Sequence, residues 1–181
     1  MYGIVNRAIE ELIIERFGIE KWDEIKHKAG FNSEGFMTLK PYPDELTFKL
    51  VGAASVILNV PADTLLEAFG EYWILYTAEK GYGEMLNLAG DSFPSFLKNL
   101  NMLHGRVTNL MPELAPPQFE CRNEKENSIE LLYRSHRVGM IPMLYGLIKG
   151  LAKRFDKEVR IEEIQSSEDE NTTVTFILTW S

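Results

Sequence analysis

Three histidines, one cysteine and a short tyrosine–serine–arginine pattern are the side chains of this 181-residue chain that invite chemistry. His27 lies between Lys26 and Lys28 and reads as a surface residue. His136 lies between Ser135 and Arg137, on the strand face opposite both. His104 differs. Leu97 and Leu100 precede it, and Val107 and Met111 follow it, at the spacing that puts all five on one stripe of a helix. A histidine on an apolar stripe is either a core residue hydrogen-bonded to backbone or a metal ligand, because neutral imidazole is a common ligand for iron and zinc.

Zinc is disfavoured. No second His, Asp, Glu or Cys shares that stripe at ligand spacing, and the one cysteine, Cys121, is distant in sequence. An iron–sulfur cluster lacks its thiolates. A heme asks less of the protein, because one proximal histidine suffices when the porphyrin supplies the other ligands. With no C-x-x-C-H in the chain, any heme is non-covalent and of the b type. Its two propionates then need donors. Strand side chains alternate, so Tyr133, Ser135 and Arg137 share a face that carries a phenol, a hydroxyl and a guanidinium. All three donate to carboxylates, Arg137 with the reach for a bidentate grip. A solvent-facing strand has the same composition, so the pattern speaks for propionates only together with a buried histidine upstream.

Helices come first along the chain, and strands follow. Residues 3–17 place Ile4, Val5, Ala8, Ile9, Leu12 and Ile13 on one stripe, with Gly18 as its stop. A second short helix is expected over 20–29 and a long loop from Gly30 to Pro43. Asp44 is the expected N-cap of a helix over 45–58. Pro61 opens the next helix to about Glu79, with a break at Gly81 and Gly83. Ser92 then caps a helix to about residue 111, with Pro94 in its first turn. After Pro112, Pro116 and Pro117 the period shifts toward two. Strands are expected over 118–123 and 128–137, joined by a turn from Asn123 to Asn127. A helix over 141–155 follows, then a hairpin over 157–165 and 172–180 around an acidic turn, Ser166 to Asn171. That order predicts an α+β fold: a helical N-terminal part packed on a four-stranded antiparallel sheet with one inserted helix.

Composition narrows the class. Nineteen basic and 27 acidic residues give a formal charge of −8, which repels phosphate backbones and speaks against nucleic acid. Charges at Arg7, Glu10 and Glu11 speak against a signal peptide, so none is expected, and no apolar run approaches the ~20 residues of a membrane span. A single cysteine forms no intrachain disulfide, so Cys121 reads as a small packing residue in a reducing compartment. The expected setting is the cytoplasm, with no membrane partner.

Taken jointly, His104 and Tyr133-x-Ser135-x-Arg137 resemble the heme nitric oxide/oxygen binding family, H-NOX, bacterial relatives of the heme domain of soluble guanylate cyclase. The resemblance covers the whole chain. It takes in Met1-Tyr2-Gly3-Ile4-Val5, Ala68-Phe69-Gly70-Glu71-Tyr72-Trp73, Gly90-Asp91-Ser92, Leu103-His104, Pro116-Pro117 and Gly146-Leu147-Ile148-Lys149-Gly150. Several of these strings look like the cyanobacterial branch. The resemblance implies that heme is buried between a distal helical part, about 1–63, and a proximal part, about 64–181. It makes His104 the proximal iron ligand and Tyr133, Ser135 and Arg137 the propionate clamp. Pro117 is implied to press on the porphyrin, Gly70 to act as a hinge, and Val5, Trp73, Met143 and Leu147 to line the distal pocket. Leu100 and Val107 join the proximal side by helical spacing from His104.

Family members that hold O2 stably use a distal tyrosine, and Met143 stands at the matching position. A thioether cannot donate. NO and CO binding with poor O2 retention is therefore expected, and the remaining donors near the pocket are Trp73, Tyr2, Tyr82 and Tyr145. The resemblance also implies a mechanism. NO weakens the iron–His104 bond, the helix around 92–111 is released, and the distal helices rotate about Gly70. The chain carries no kinase or cyclase motif, so it is not expected to be an enzyme. Its signal is expected to pass to a histidine kinase or a cyclic-di-GMP enzyme. Two other readings stay open. A heme peroxidase or oxygenase would need a distal acid–base pair, which the apolar set lacks. A heme-free interaction domain would leave His104 in the core.

Overall fold

The computed structural model describes residues 1–168 and 172–181. Helix α1 (Gly3–Phe17) buries the predicted stripe except for the half-buried Val5 and ends at Gly18, whose φ of 89° suits glycine. Helix α2 (Ile19–Lys28) buries Trp22 and Ile25. The loop to Pro43 is tied by a bridge between Tyr2 and Pro41 and by stacked rings of Phe31 and Phe36, 4.1 Å apart.

Three expectations about the next helices are corrected. Helix α3 (Asp44–Leu58) has Pro43 at its cap position. Asp44, expected as the cap, turns its carboxylate instead to the α-amino group of Met1 and to Arg137, since cations outcompete neutral amides for it. Helix α4 (Ala62–Tyr72) runs on through a π-helical segment (Trp73–Ala78) into α5 (Glu79–Asn87). The break predicted at Gly81 and Gly83 is only a kink at Tyr82 (φ −141°, ψ 21°), and Arg154 spans the helix by bonding Glu79 and Asn87. The single helix predicted over 92–111 is two, α6 (Phe93–Lys98) and α7 (Leu100–Leu110). Asn99 leaves helical geometry between them (φ −98°, ψ 4°) and donates to the Ala89 carbonyl at 2.8 Å.

Strands β1 (Gln118–Lys125), β2 (Ser128–Ser135), β3 (Val159–Glu168) and β4 (Thr172–Trp180) form one antiparallel sheet in the order β1-β2-β4-β3. Helix α8 (Ile141–Arg154) is inserted between β2 and β3. Strand β2 stops two residues before the predicted end, so Arg137 lies just past it. Strand β1 runs to Lys125, which shortens the predicted turn. Part of the expected acidic turn, 169–171, lies outside the described residues. Ile129, Leu131 and Tyr133 face Leu178, Phe176 and Val174 across the β2–β4 pair, and all six are buried. This one-sided burial is what period-two patterning specifies.

Two large apolar clusters result. The first joins α1, α2, α3 and α4, drawing Leu65, Leu66, Phe69 and Tyr72 from beyond residue 63. The second joins α6, α8 and the sheet. They meet along α4 and α8, where the backbones touch. A Cβ on Gly70 would run into the Met143 carbonyl, and one on Gly146 into the Glu67 carbonyl. Ion pairs Lys149–Glu67 at 2.6 Å and Lys153–Glu71 at 2.7 Å flank this seam. Among the described residues no single helix is long and apolar enough to cross a membrane.

Candidate functional site

A mainly apolar cavity of about 280 Å³ lies between the two clusters. Val5 of α1, Trp73 of the π-helical segment, and Met143 and Leu147 of α8 form one side of its lining. Leu100, His104 and Val107 of α7 form another, next to Pro117. Tyr133, Ser135 and Arg137 line it from the end of β2. Every residue that the sequence assigns to holding the heme or lining its pocket therefore reaches one cavity. Trp73 packs on both large clusters and on a third small one of Tyr2, Ile4 and Met111. The π-helical segment that presents it is a feature often found at functional sites. Neither glycine nor proline marks it in the sequence.

His104 sits on α7 with its ring centroid 5.8 Å from that of Phe119. Its Nδ1 is buried without a hydrogen-bond partner. Burial pushes its pKa below the ordinary histidine value, and the Pro117 backbone, which offers only a carbonyl, opposes this in part. The imidazole is thus neutral at pH 7, with a lone pair to offer. Among the described residues no group of three or more His, Cys, Asp or Glu is arranged to hold a metal ion, so one histidine suits a metal that brings its own equatorial ligands.

The polar rim is more elaborate than predicted. Burial raises the pKa of Tyr133, against the opposing effects of the Ser135 hydroxyl and the Arg137 charge, so its phenol keeps a proton to donate. The Ser135 hydroxyl accepts the Arg137 backbone N–H at 3.1 Å, and Thr172 donates to the Arg137 carbonyl at 3.1 Å. Arg137 donates through Nε to Asp44 at 2.6 Å and through Nη1 to the Ala115 carbonyl at 2.7 Å. The bidentate grip foreseen for a propionate is therefore not available at the Nε edge, which Asp44 occupies. Asp44 is the site residue that sequence reasoning missed. Burial would raise its pKa, but hydrogen bonds and charge from the Met1 ammonium and Arg137 outweigh it and hold the carboxyl below its usual range. Its only sequence signal was that of a helix cap, and Arg137 is 93 residues away.

The other candidates separate cleanly. The Tyr2 hydroxyl lines the cavity and accepts the Glu113 N–H at 3.0 Å. Tyr82 also lines it. Tyr145 instead donates to Glu163 at 3.3 Å and packs edge-on against Phe176. His27 and His136 are exposed. Cys121 packs against the sheet cluster, and burial pushes its thiol up to about 11, as for an inert packing residue.

Residues 2–163 match the family model described as Haem-NO-binding. The chain belongs to that family, the H-NOX family. The soluble guanylate cyclase gcy-31 of Caenorhabditis elegans is 30% identical over 172 residues, which are 94% of this chain and 24% of that protein. The soluble guanylate cyclase 89Da of Drosophila melanogaster is 26% identical over 170 residues, 93% of this chain and 26% of that protein. The H-NOX chain thus spans about a quarter of these relatives' length. A mutant H-NOX protein from K. algicida, solved in the unliganded Fe(II) state, superposes with a TM-score of 0.86 at 25% identity, covering 100% of this chain and 97% of that one. An H-NOX protein from S. oneidensis in the Fe(II) state gives 0.90 at 21% identity, with 100% and 96% covered, and shares the fold. Heme is the cofactor of H-NOX domains, and this chain fits it. His104, whose Nδ1 has no hydrogen-bond partner, lines an apolar cavity, and donors for carboxylates stand at one rim. The fold is that of a heme-based gas-sensing domain.

Proposed function

We propose that this domain senses NO, binds CO as well, retains O2 poorly, and passes its signal to an effector. When bound, heme supplies a ferrous iron that takes up a diatomic gas. The observation that carries the reading is His104 of α7 on the lining of this cavity, with its Nδ1 lacking a hydrogen-bond partner and burial holding its pKa low. His104 would hold the iron, with Leu100, Val107 and Pro117 on the cavity lining beside it. Tyr133 and Ser135 donate to the propionates, and Arg137 does so through the nitrogen that Asp44 and Ala115 leave over. Val5, Trp73, Met143 and Leu147 line the distal side.

Discrimination against O2 follows from what the distal side chains can donate. Bound O2 carries negative charge and gains most from a donor, whereas NO and CO gain less. Met143, at the position where O2-holding members carry a tyrosine, has no proton to give, nor have Val5 and Leu147, which leaves the Trp73 indole and the Tyr2 and Tyr82 hydroxyls as the donors on the lining. Tyr145 is committed to Glu163, on the far side of α8 from the cavity lining. The effector belongs to another domain or another chain. The matched relatives are named as soluble guanylate cyclases, which favours a nucleotide-signalling output such as a cyclase or a cyclic-di-GMP enzyme, with a histidine kinase as the alternative. The setting proposed is the cytoplasm, and the moving parts are the helical portion, about 1–63, against the remainder.

Visible absorption of the reduced protein tests this, first without oxygen, then with NO or CO, then in air. The expected result is a Soret band that shifts with NO and with CO and gives no lasting oxygen complex. A stable oxygen complex would overturn the reading of Met143. A Soret band unaltered in His104→Ala would remove His104 from the iron.

A further inference from the structure

Strand β1 is an edge of the sheet, and alternate residues of an edge strand turn both backbone groups outward. Phe119 is such a residue, and the groups it turns outward are taken by one side chain. Its N–H donates to Asn101 Oδ1 at 2.9 Å, and its carbonyl accepts from Asn101 Nδ2 at 2.6 Å. The carboxamide does the work of a neighbouring strand, which needs one donor and one acceptor in the same plane. Asn101 belongs to α7 and lies nearly one turn before His104. Phe119 follows Pro117 by two residues, and its ring lies 5.8 Å from the His104 ring and 5.5 Å from that of Tyr133. Elsewhere on α7, Leu100 packs on the sheet cluster and Val107 on that of Tyr2, Ile4 and Met111. Leu103 is its buried side chain, while Met102, Gly105, Arg106, Asn109 and Leu110 are exposed.

We infer that Asn101 is a positioning residue for heme ligation: its paired bonds to Phe119 fix where α7 sits along β1 and so how His104 meets the iron. The inference rests on His104 being the iron ligand, as proposed above. It also explains why the residue is an amide. An aspartate could accept the Phe119 N–H, but its second oxygen would face the Phe119 carbonyl and repel it. Loss of the pair frees α7 to drift from the strand that carries Pro117 and Phe119, and the iron–histidine bond weakens.

The test uses the heme-loaded protein and the variants Asn101→Ala and Asn101→Asp, with Asn109→Ala as an exposed control on the same helix. Two readouts are needed: the iron–histidine stretching band of the ferrous protein by resonance Raman, and amide hydrogen exchange at Phe119. Asn101→Ala should move the band to lower frequency and speed exchange at Phe119 by roughly 5-fold, as the loss of one hydrogen bond does, whereas Asn101→Asp, which still accepts the Phe119 N–H, should move the band and leave that exchange slow. The control should change neither. Asn101→Asp keeps one of the two bonds, so it still reports if Asn101→Ala fails to fold. Faster exchange with an unmoved band would make Asn101 a plain edge cover and overturn the inference. Unchanged exchange in Asn101→Ala would overturn it by denying the bonds. A wild-type protein with no iron–histidine band would fail the His104 assignment itself, a different result, and the inference would fall with it.

Discussion

The cavity is lined by two helices built in unlike ways. Helix α8 buries six of its residues, among them Gly146 and Gly150, and presses its backbone on α4. Helix α7 buries Leu103, packs Leu100 on the sheet cluster and Val107 on the small cluster of Tyr2, Ile4 and Met111, and meets the β1 edge through Asn101 and His104. One is clamped backbone to backbone, and the other is held by side chains with one residue fully buried. The difference teaches where a ligand signal can enter. A side chain on α7 can shift with little repacking, because close-packed interiors resist displacement and thinly packed elements do not. The α8 side can respond only by moving whole, along the α4 seam.

The largest expected effect comes from removing what α7 presents. His104→Ala should abolish stable heme binding, and added imidazole should restore the Soret band without restoring any pull on α7. The restored heme is then expected to leave an NO-dependent effector unresponsive, measured as its activity with and without NO. Wild-type regulation in that variant would mean that α7 does not carry the signal.

Next comes the seam. Gly146→Ala puts a methyl group against the Glu67 carbonyl, a backbone atom that cannot swing aside. Overpacking of this kind costs about 1–3 kcal/mol, or a fall in Tm of roughly 2–12 °C for a domain of this size. The same substitution on α7 should have the opposite sign. A Cβ on Gly105 meets nothing within 4 Å. Gly105→Ala removes backbone entropy from the unfolded chain and should stabilise by about 0.5–1 kcal/mol. Paired thermal melts check both. Equal signs would erase the contrast between the two helices.

Much of this contrast was hidden in the residue order, for identifiable reasons. The stripes of α1 and α8 and the alternation of β2 and β4 were legible, because each element buries one face and its period records that. The split at Asn99 was not, since Leu97, Leu100 and His104 keep the spacing of one continuous helix across it. The π-helical segment was invisible because nothing in Trp73–Ala78 breaks a helix. Periodicity alone left His104 between core and ligand, and only the family resemblance chose between them. Asp44 and Asn101 were out of reach for another reason. Each acts on a partner that the chain brings close only by folding: Arg137, past the end of β2, and the free edge of β1.

Asp44 gives the smallest effect and the one whose sign is least obvious. Its carboxylate ties α3 to the segment after β2 through Arg137, so it is a second link between the helical part and the sheet, outside the seam. The folded pKa lies below the ordinary value of 3.8. A depressed carboxylate contributes stability that is fully present above the unfolded pKa and is lost as pH falls through the folded one. Wild type should therefore exceed Asp44→Asn in urea midpoint at pH 7, and the gap should shrink as pH drops below about 4. Because the carboxylate is partly exposed, screening limits its contribution to a few tenths of a kcal/mol, up to ~1. Urea melts of both proteins at neutral and acid pH read the difference directly. A gap that stays constant into acid would assign the effect to shape rather than charge, and α3 would then be held to the sheet by packing alone.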